Sequence, residues 1–185
     1  MGMYTGFRFK GLIKQKYRQD IYNVIYGNKE WEDCENEIFK EFSKVDRSYM
    51  IPNGISAYLP DCWYKDSNNH FDSEATNGFE LYFNNTTGLL CFQCEVKNYE
   101  PLEYFIKEVS KVICSKLIHA EILYEGNEIS TLYKLKDGII IQKEYGIRYK
   151  DDDEYESIFP IPKEEKEDKN IWYYDFKYDI EKEYR

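Results

Sequence analysis

Two histidines in 185 residues leave this chain short of the side chain that most often moves protons near neutral pH. His70 falls in a polar stretch, and His119 sits beside Ala120 at the start of an apolar run, where a hydrogen-bonded structural role is expected. No Ser or Cys lies in a nucleophile-elbow turn, and the ten glycines form neither a Gly-x-Gly-x-x-Gly nor a Gly-Lys-Ser run. Serine- or cysteine-hydrolase chemistry and phosphate-loop chemistry both lose their usual anchors. No apolar stretch reaches the roughly 18 residues that cross a bilayer, and Met1 to Lys14 lacks a signal-peptide core. These absences point to a cytoplasmic protein that is not an enzyme, with no catalytic residue, no metal site and no cofactor.

Positive charge is also in deficit. Lys and Arg number 25 against 35 Asp and Glu, a net charge of -10, which opposes direct nucleic-acid or anionic-membrane binding because those surfaces draw affinity from basic side chains. The expected partner is another protein with a basic surface. Between Lys150 and Arg185 there are 13 acidic and 7 basic residues, so most of the imbalance sits in the tail. The start runs the other way: Arg8, Lys10, Lys14, Lys16 and Arg18 face Asp20 alone, and both ends read as solvated faces.

The five cysteines are an odd number scattered through regular segments, which fits reduced thiols better than a disulfide framework. Cys91-Phe92-Gln93-Cys94 has the spacing of zinc sites and redox dithiols. In a strand, however, Cys94 points with Leu90 and Phe92 while Cys91 points with Gln93, so the two thiols diverge. Cys94 is expected in the core and Cys91 on the opposite face. Asp151-Asp152-Asp153-Glu154 could hold a hard cation, but it lacks calcium-loop spacing and the turn glycine.

What the chain has in abundance is aromatic residues, 19 Tyr and 11 Phe with 3 Trp. Phe7 and Phe9 alternate with Arg8 and Lys10, which predicts a strand with one buried face over Tyr4 to Ile13. Tyr17, Ile21, Val24 and Ile25 share a helical stripe that Gly27 can end in the left-handed conformation. Asn28 is then the expected cap of a second helix carrying Trp31, Cys34, Ile38 and Phe42. Phe79 to Phe83 and Leu89 to Lys97 read as a hairpin, Leu102 to Ile113 as a helix opened by Pro101, and three strands follow as a meander.

This order predicts an α+β fold, an antiparallel sheet with helices on one face. It is close to a ferredoxin-like arrangement with an extra hairpin and a C-terminal extension. Residues 1–149 form the domain, and 150–185 an acidic linker and aromatic segment expected to dock on it. Tyr17, Tyr22, Tyr82, Tyr124 and Tyr133 are assigned to packing. The candidate partner-binding residues are Asp151, Asp152, Asp153, Glu154, Trp172, Tyr173, Tyr174 and Tyr178, where aromatic anchors are ringed by carboxylates.

Tyr49-Met50-Ile51-Pro52-Asn53-Gly54-Ile55-Ser56-Ala57-Tyr58-Leu59-Pro60-Asp61-Cys62-Trp63, followed by Cys91 to Tyr99, resembles small uncharacterised cytoplasmic proteins of low-GC bacteria and their mobile elements. The resemblance implies a toxin-immunity or phage anti-defence role, performed by an acidic inhibitor that binds and blocks an effector. Two other readings stay open, an acidic nucleic-acid mimic in the basic groove of a nuclease or defence complex, and a metal-assisted enzyme with Asp and Glu ligands. Truncating the chain after Asp168 discriminates a recognition segment from an element packed on the fold, a preserved circular dichroism spectrum fitting recognition. Loss of the folded signal would instead make the aromatic tail part of the core.

Overall fold

Strand β1, Thr5–Ile13, sits where the alternation of Phe7 and Phe9 with Arg8 places it, between two antiparallel neighbours. The computed structural model describes residues 4–54, 64–65, 71–72, 79, 81–125, 130–143, 147–149, 171–173 and 181–184. After β1 come a 3₁₀ turn at Gln15–Tyr17, helix α1 over Arg18–Tyr26 and helix α2 over Glu37–Ser43. Strands β2 (Tyr64–Lys65) and β3 (Phe71–Asp72) pair with each other. A hairpin of β4 (Tyr82–Phe83) and β5 (Leu89–Val96) then leads into helix α3. That helix runs through α-helical Glu100–Tyr104, a π-helical stretch Phe105–Ser110 and a last turn Lys111–Ile113.

Strands β6 (Cys114–Tyr124), β7 (Thr131–Lys136) and β8 (Ile139–Lys143) complete the meander. Further on, β9 (Ile147–Tyr149) pairs with β10 (Ile171–Tyr173), and β11 (Glu181–Tyr184) pairs with β8. The main sheet is ordered β11-β8-β7-β6-β1-β5-β4. Six of its strands come from residues 5–143, and every pairing is antiparallel.

Phe105 is the hub of the core. Its ring lies 5.9 Å from Phe7, 5.4 Å from Phe9, 5.9 Å from Phe92 and 5.4 Å from Phe42, so one side chain joins both helical segments to the three-aromatic face of β1 and β5. Edge-on aromatic contacts of this kind add to the area they bury. Leu90, Cys94, Val96, Ala120, Ile122 and Tyr133 extend the same buried cluster across the sheet, and Ile21, Val24, Trp31 and Phe39 extend it through the helices. The helices therefore gather on one face, as the alternation predicts.

Two local expectations are corrected. Gly27 is not left-handed: its φ is -105°, and Asn28 takes the left-handed position with φ 55°. Glycine is needed at 27 because a Cβ would lie 2.8 Å from the Asn23 carbonyl oxygen. Asn28 consequently caps no helix. Trp31–Asp33 forms a 3₁₀ turn instead, and the chain re-enters a helix only after Asn36. The buried Asp20 carboxylate holds this junction, accepting bonds from the Glu35 and Asn36 backbone N–H groups and from Asn36 Nδ2. Trp31 Nε1 donates to the Ile51 carbonyl at 2.7 Å and ties the following loop to the core.

The basic start is not simply solvated either. The Arg18 guanidinium donates to the carbonyls of Ile13, Asn85, Thr86 and Thr87, stapling the β4–β5 turn to the end of β1. Gly88 completes that turn with φ 80°, where a Cβ would fall 2.5 Å from the Ile13 oxygen.

Replacing the hub with Phe105→Ala is expected to cost roughly 3–5 kcal/mol, read from the shift of the urea midpoint at unchanged slope. A loss below about 1 kcal/mol would mean that another residue centres the core.

Candidate functional site

Because side chains alternate along a strand, the residues between the core phenylalanines face the other side of the sheet. Across that side, Arg8 on β1 stands in register between Gln93 on β5 and Glu121 on β6. Arg8 Nε donates to Gln93 Oε1 at 3.0 Å, and Arg8 Nη1 lies 3.9 Å from Glu121 Oε2. The same carboxylate oxygen is 3.0 Å from His119 Nε2. Arg8 and Glu121 are each only 1% exposed, and Gln93 and Glu95 are buried beside them. The Phe79 ring lies over this layer, its centroid 5.4 Å from Arg8 Cζ, 4.9 Å from Lys10 Nζ and 5.0 Å from the His119 ring.

A buried ion pair gains little over an apolar pair of the same volume, but removing one partner is costly. The layer is therefore a specificity device first: it dictates which strands may flank β1 and in which register. Its chemical reach is limited by spacing. Cys91, Lys10 and His119 occupy one row across β5, β1 and β6. With strands about 4.8 Å apart, the backbones of Cys91 and His119 stand roughly 10 Å from each other with Lys10 between them, and the His119 imidazole is turned to Glu121.

Cys34, Cys94 and Cys114 are the other cysteines among the described residues. Burial pushes the thiols of Cys34 and Cys114 up to about 12 and that of Cys94 higher still, so all three stay protonated at neutral pH. Cys94 lies in the core cluster and Cys91 does not, the divergence that strand geometry requires of the Cys-x-x-Cys spacing. Among the described residues no group of three or more His, Cys, Asp or Glu side chains is placed to hold a metal ion.

The second feature is a tyrosine-lined edge. Tyr22 and Tyr26, one helical turn apart on α1, have ring centroids 5.2 Å apart, and the Tyr26 hydroxyl accepts a bond from the Phe83 N–H at 3.0 Å. The Tyr82 hydroxyl accepts from Asn84 Nδ2. Tyr22, Tyr26, Leu81 and Tyr82 are 41 to 49% exposed. This corrects the assignment of Tyr22, Tyr82 and Tyr124 to packing; of the five tyrosines so assigned, Tyr17 and Tyr133 are buried. Periodicity locates a ring on an element, whereas exposure depends on whether a neighbouring element covers it.

Of the residues selected from the sequence, Trp172 and Tyr173 fall in β10, in register with Arg148 and Ile147 of β9. Asp151, Asp152, Asp153, Glu154, Tyr174 and Tyr178 lie outside the described residues. Sequence reading missed the Arg8, Gln93 and Glu121 layer, although a signal was present: three segments carry polar side chains at period 2 between buried apolar ones, and their charges are of opposite sign.

No known family model matches the chain, and no curated protein or solved structure matches it.

Arg8→Met should remove the buried guanidinium that faces Glu121 and cost about 3–5 kcal/mol, whereas the double variant Arg8→Met/Glu121→Leu should recover much of that loss. Urea unfolding of both singles and the double measures the coupling. Strictly additive losses would mean that the two side chains do not act as a pair.

Proposed function

We propose that this protein is a non-enzymatic acidic inhibitor, of the toxin-immunity or phage anti-defence kind, which blocks a bacterial effector by binding it directly. The observation that carries this reading is the uncharged tyrosine edge, Tyr22, Tyr26, Leu81 and Tyr82, left open on a chain of net charge -10. Tyrosine is favoured at binding surfaces because a rigid ring supplies contact area at low entropic cost while its hydroxyl can pair with a partner or with water. An uncharged aromatic centre within an acidic molecule is the pattern of a desolvated hot spot with an electrostatic surround that selects and steers a basic partner. The acidic run Asp151 to Glu154 and the aromatic segment around Trp172 belong to that surround and to a second contact region in this proposal.

We read the fold as a ferredoxin-like core with additions. Strand order β6-β1-β5-β4, with α1 and α2 between β1 and β4 and α3 between β5 and β6, supports that reading. The meander strands β7 and β8 and the segment containing β11 would then be the additions. A cytoplasmic location agrees with the absence of disulfides among the described residues.

Affinity capture from bacterial cells tests the function. Wild-type protein is expected to retain a basic protein partner, and Tyr22→Ser/Tyr82→Ser to retain at least about tenfold less, each ring being worth a hot spot's energy, at an unchanged thermal midpoint. Equal retention would move the contact surface elsewhere. Turnover of a small molecule with no protein retained would overturn the reading.

A further inference from the structure

The short strand β4 ends the sheet among the described residues, and its hydrogen-bonding groups identify what would pair with it. Asn84 N donates to the Leu89 carbonyl at 2.9 Å and Asn84 O accepts from Gly88 N at 2.7 Å, both directed toward β5. Because successive residues of an antiparallel strand turn their N–H and C=O to alternate sides, the groups of Phe83 point outward, away from β5. Both meet Tyr26: its hydroxyl accepts from Phe83 N at 3.0 Å and donates toward Phe83 O at 3.5 Å. One side chain thus occupies the donor and the acceptor that a further strand would use. Unpaired edges are templates for association, and proteins blunt them by brevity, charge or cover. Charge is not the device here, because the sequence carries no acidic or basic residue from Leu81 to Cys94, nor from Ile21 to Asn28.

We infer that β4 is a self-association edge, complementary to the β4 edge of a second copy of this chain, and that Tyr26 holds it closed. A second copy fits because antiparallel pairing of one strand with itself about a twofold axis matches every outward donor to an outward acceptor. It fits electrostatically as well: two molecules of charge -10 repel except where each presents an uncharged border, and the β4 edge is bordered by the exposed, uncharged side chains of Tyr22, Tyr26, Leu81 and Tyr82. The Tyr26 hydroxyl competes with the incoming backbone for the same two groups of Phe83, so the balance between closed and paired edges turns on one side-chain contact. The inference does not depend on the identity of any effector, and its readout is the mass of the purified protein.

Sedimentation equilibrium of the full chain tests it. Wild-type protein should be monomeric, and Tyr26→Phe should self-associate at least about tenfold more tightly, the scale of one hydrogen bond to the backbone. Tyr22→Phe, which leaves the Tyr26 contact in place, should remain monomeric. Adding Tyr82→Lys to Tyr26→Phe should abolish association, since it sets like charges against each other across the twofold axis. Near-ultraviolet circular dichroism confirms that each variant is folded. A monomeric Tyr26→Phe protein would overturn the inference, as would association that survives Tyr82→Lys or a wild-type dimer unaffected by it.

Discussion

Strand β1 must be buried on both of its faces, and most of the molecule is arranged to meet that demand. Toward the helices it presents Phe7 and Phe9, which need a thick aromatic cover and receive it from Phe92, Phe105 and the rings behind them. Toward the other side it presents Arg8, which cannot be buried without partners. Those partners are Gln93 and Glu121, one on each flanking strand. The two requirements act on the same register, because sliding β5 or β6 by one residue would turn its apolar side chains toward Arg8 and its polar ones toward Phe7 and Phe9.

That coupling explains why the centre of the sheet differs from its edges. At the centre, apolar packing supplies the stability, and the ionic layer penalises alternative registers. At the β4 edge the ionic layer is absent and Phe83 is the strand's contribution to the apolar core, so single side chains take over. Arg18 gathers four carbonyls around the turn, and Tyr26 covers Phe83. Side-chain staples at the rim, in place of the buried ionic layer at the centre, leave Tyr22, Tyr26 and Tyr82 exposed along the border.

The period-2 pattern of Phe7 to Lys10 and the 3.6-residue pattern of Leu102 to Ile113 made the central strand and the long helix legible before any coordinates, since each pattern is strong and local. The divergence of Cys91 and Cys94 followed from the same alternation. The chain's path between α1 and α2 was not legible, because it rests on Asp20 reaching the backbone of Glu35 and Asn36, a contact between residues that no local pattern links. Nor was the exposure of Tyr22 and Tyr82. Both lie on regular elements, and what distinguishes them from Tyr17 and Tyr133 is their exposure among the described residues.

By itself the sequence determined the class of fold, the face each strand residue takes and the scarcity of acid–base side chains, because these depend on composition and short-range periodicity. Tertiary structure alone decided that Arg8 is buried, that Glu121 and Gln93 are its partners, and that Tyr26 closes an edge. Each of those facts depends on which distant segments become neighbours, and a charge or a hydroxyl takes its energy from the groups it meets in space.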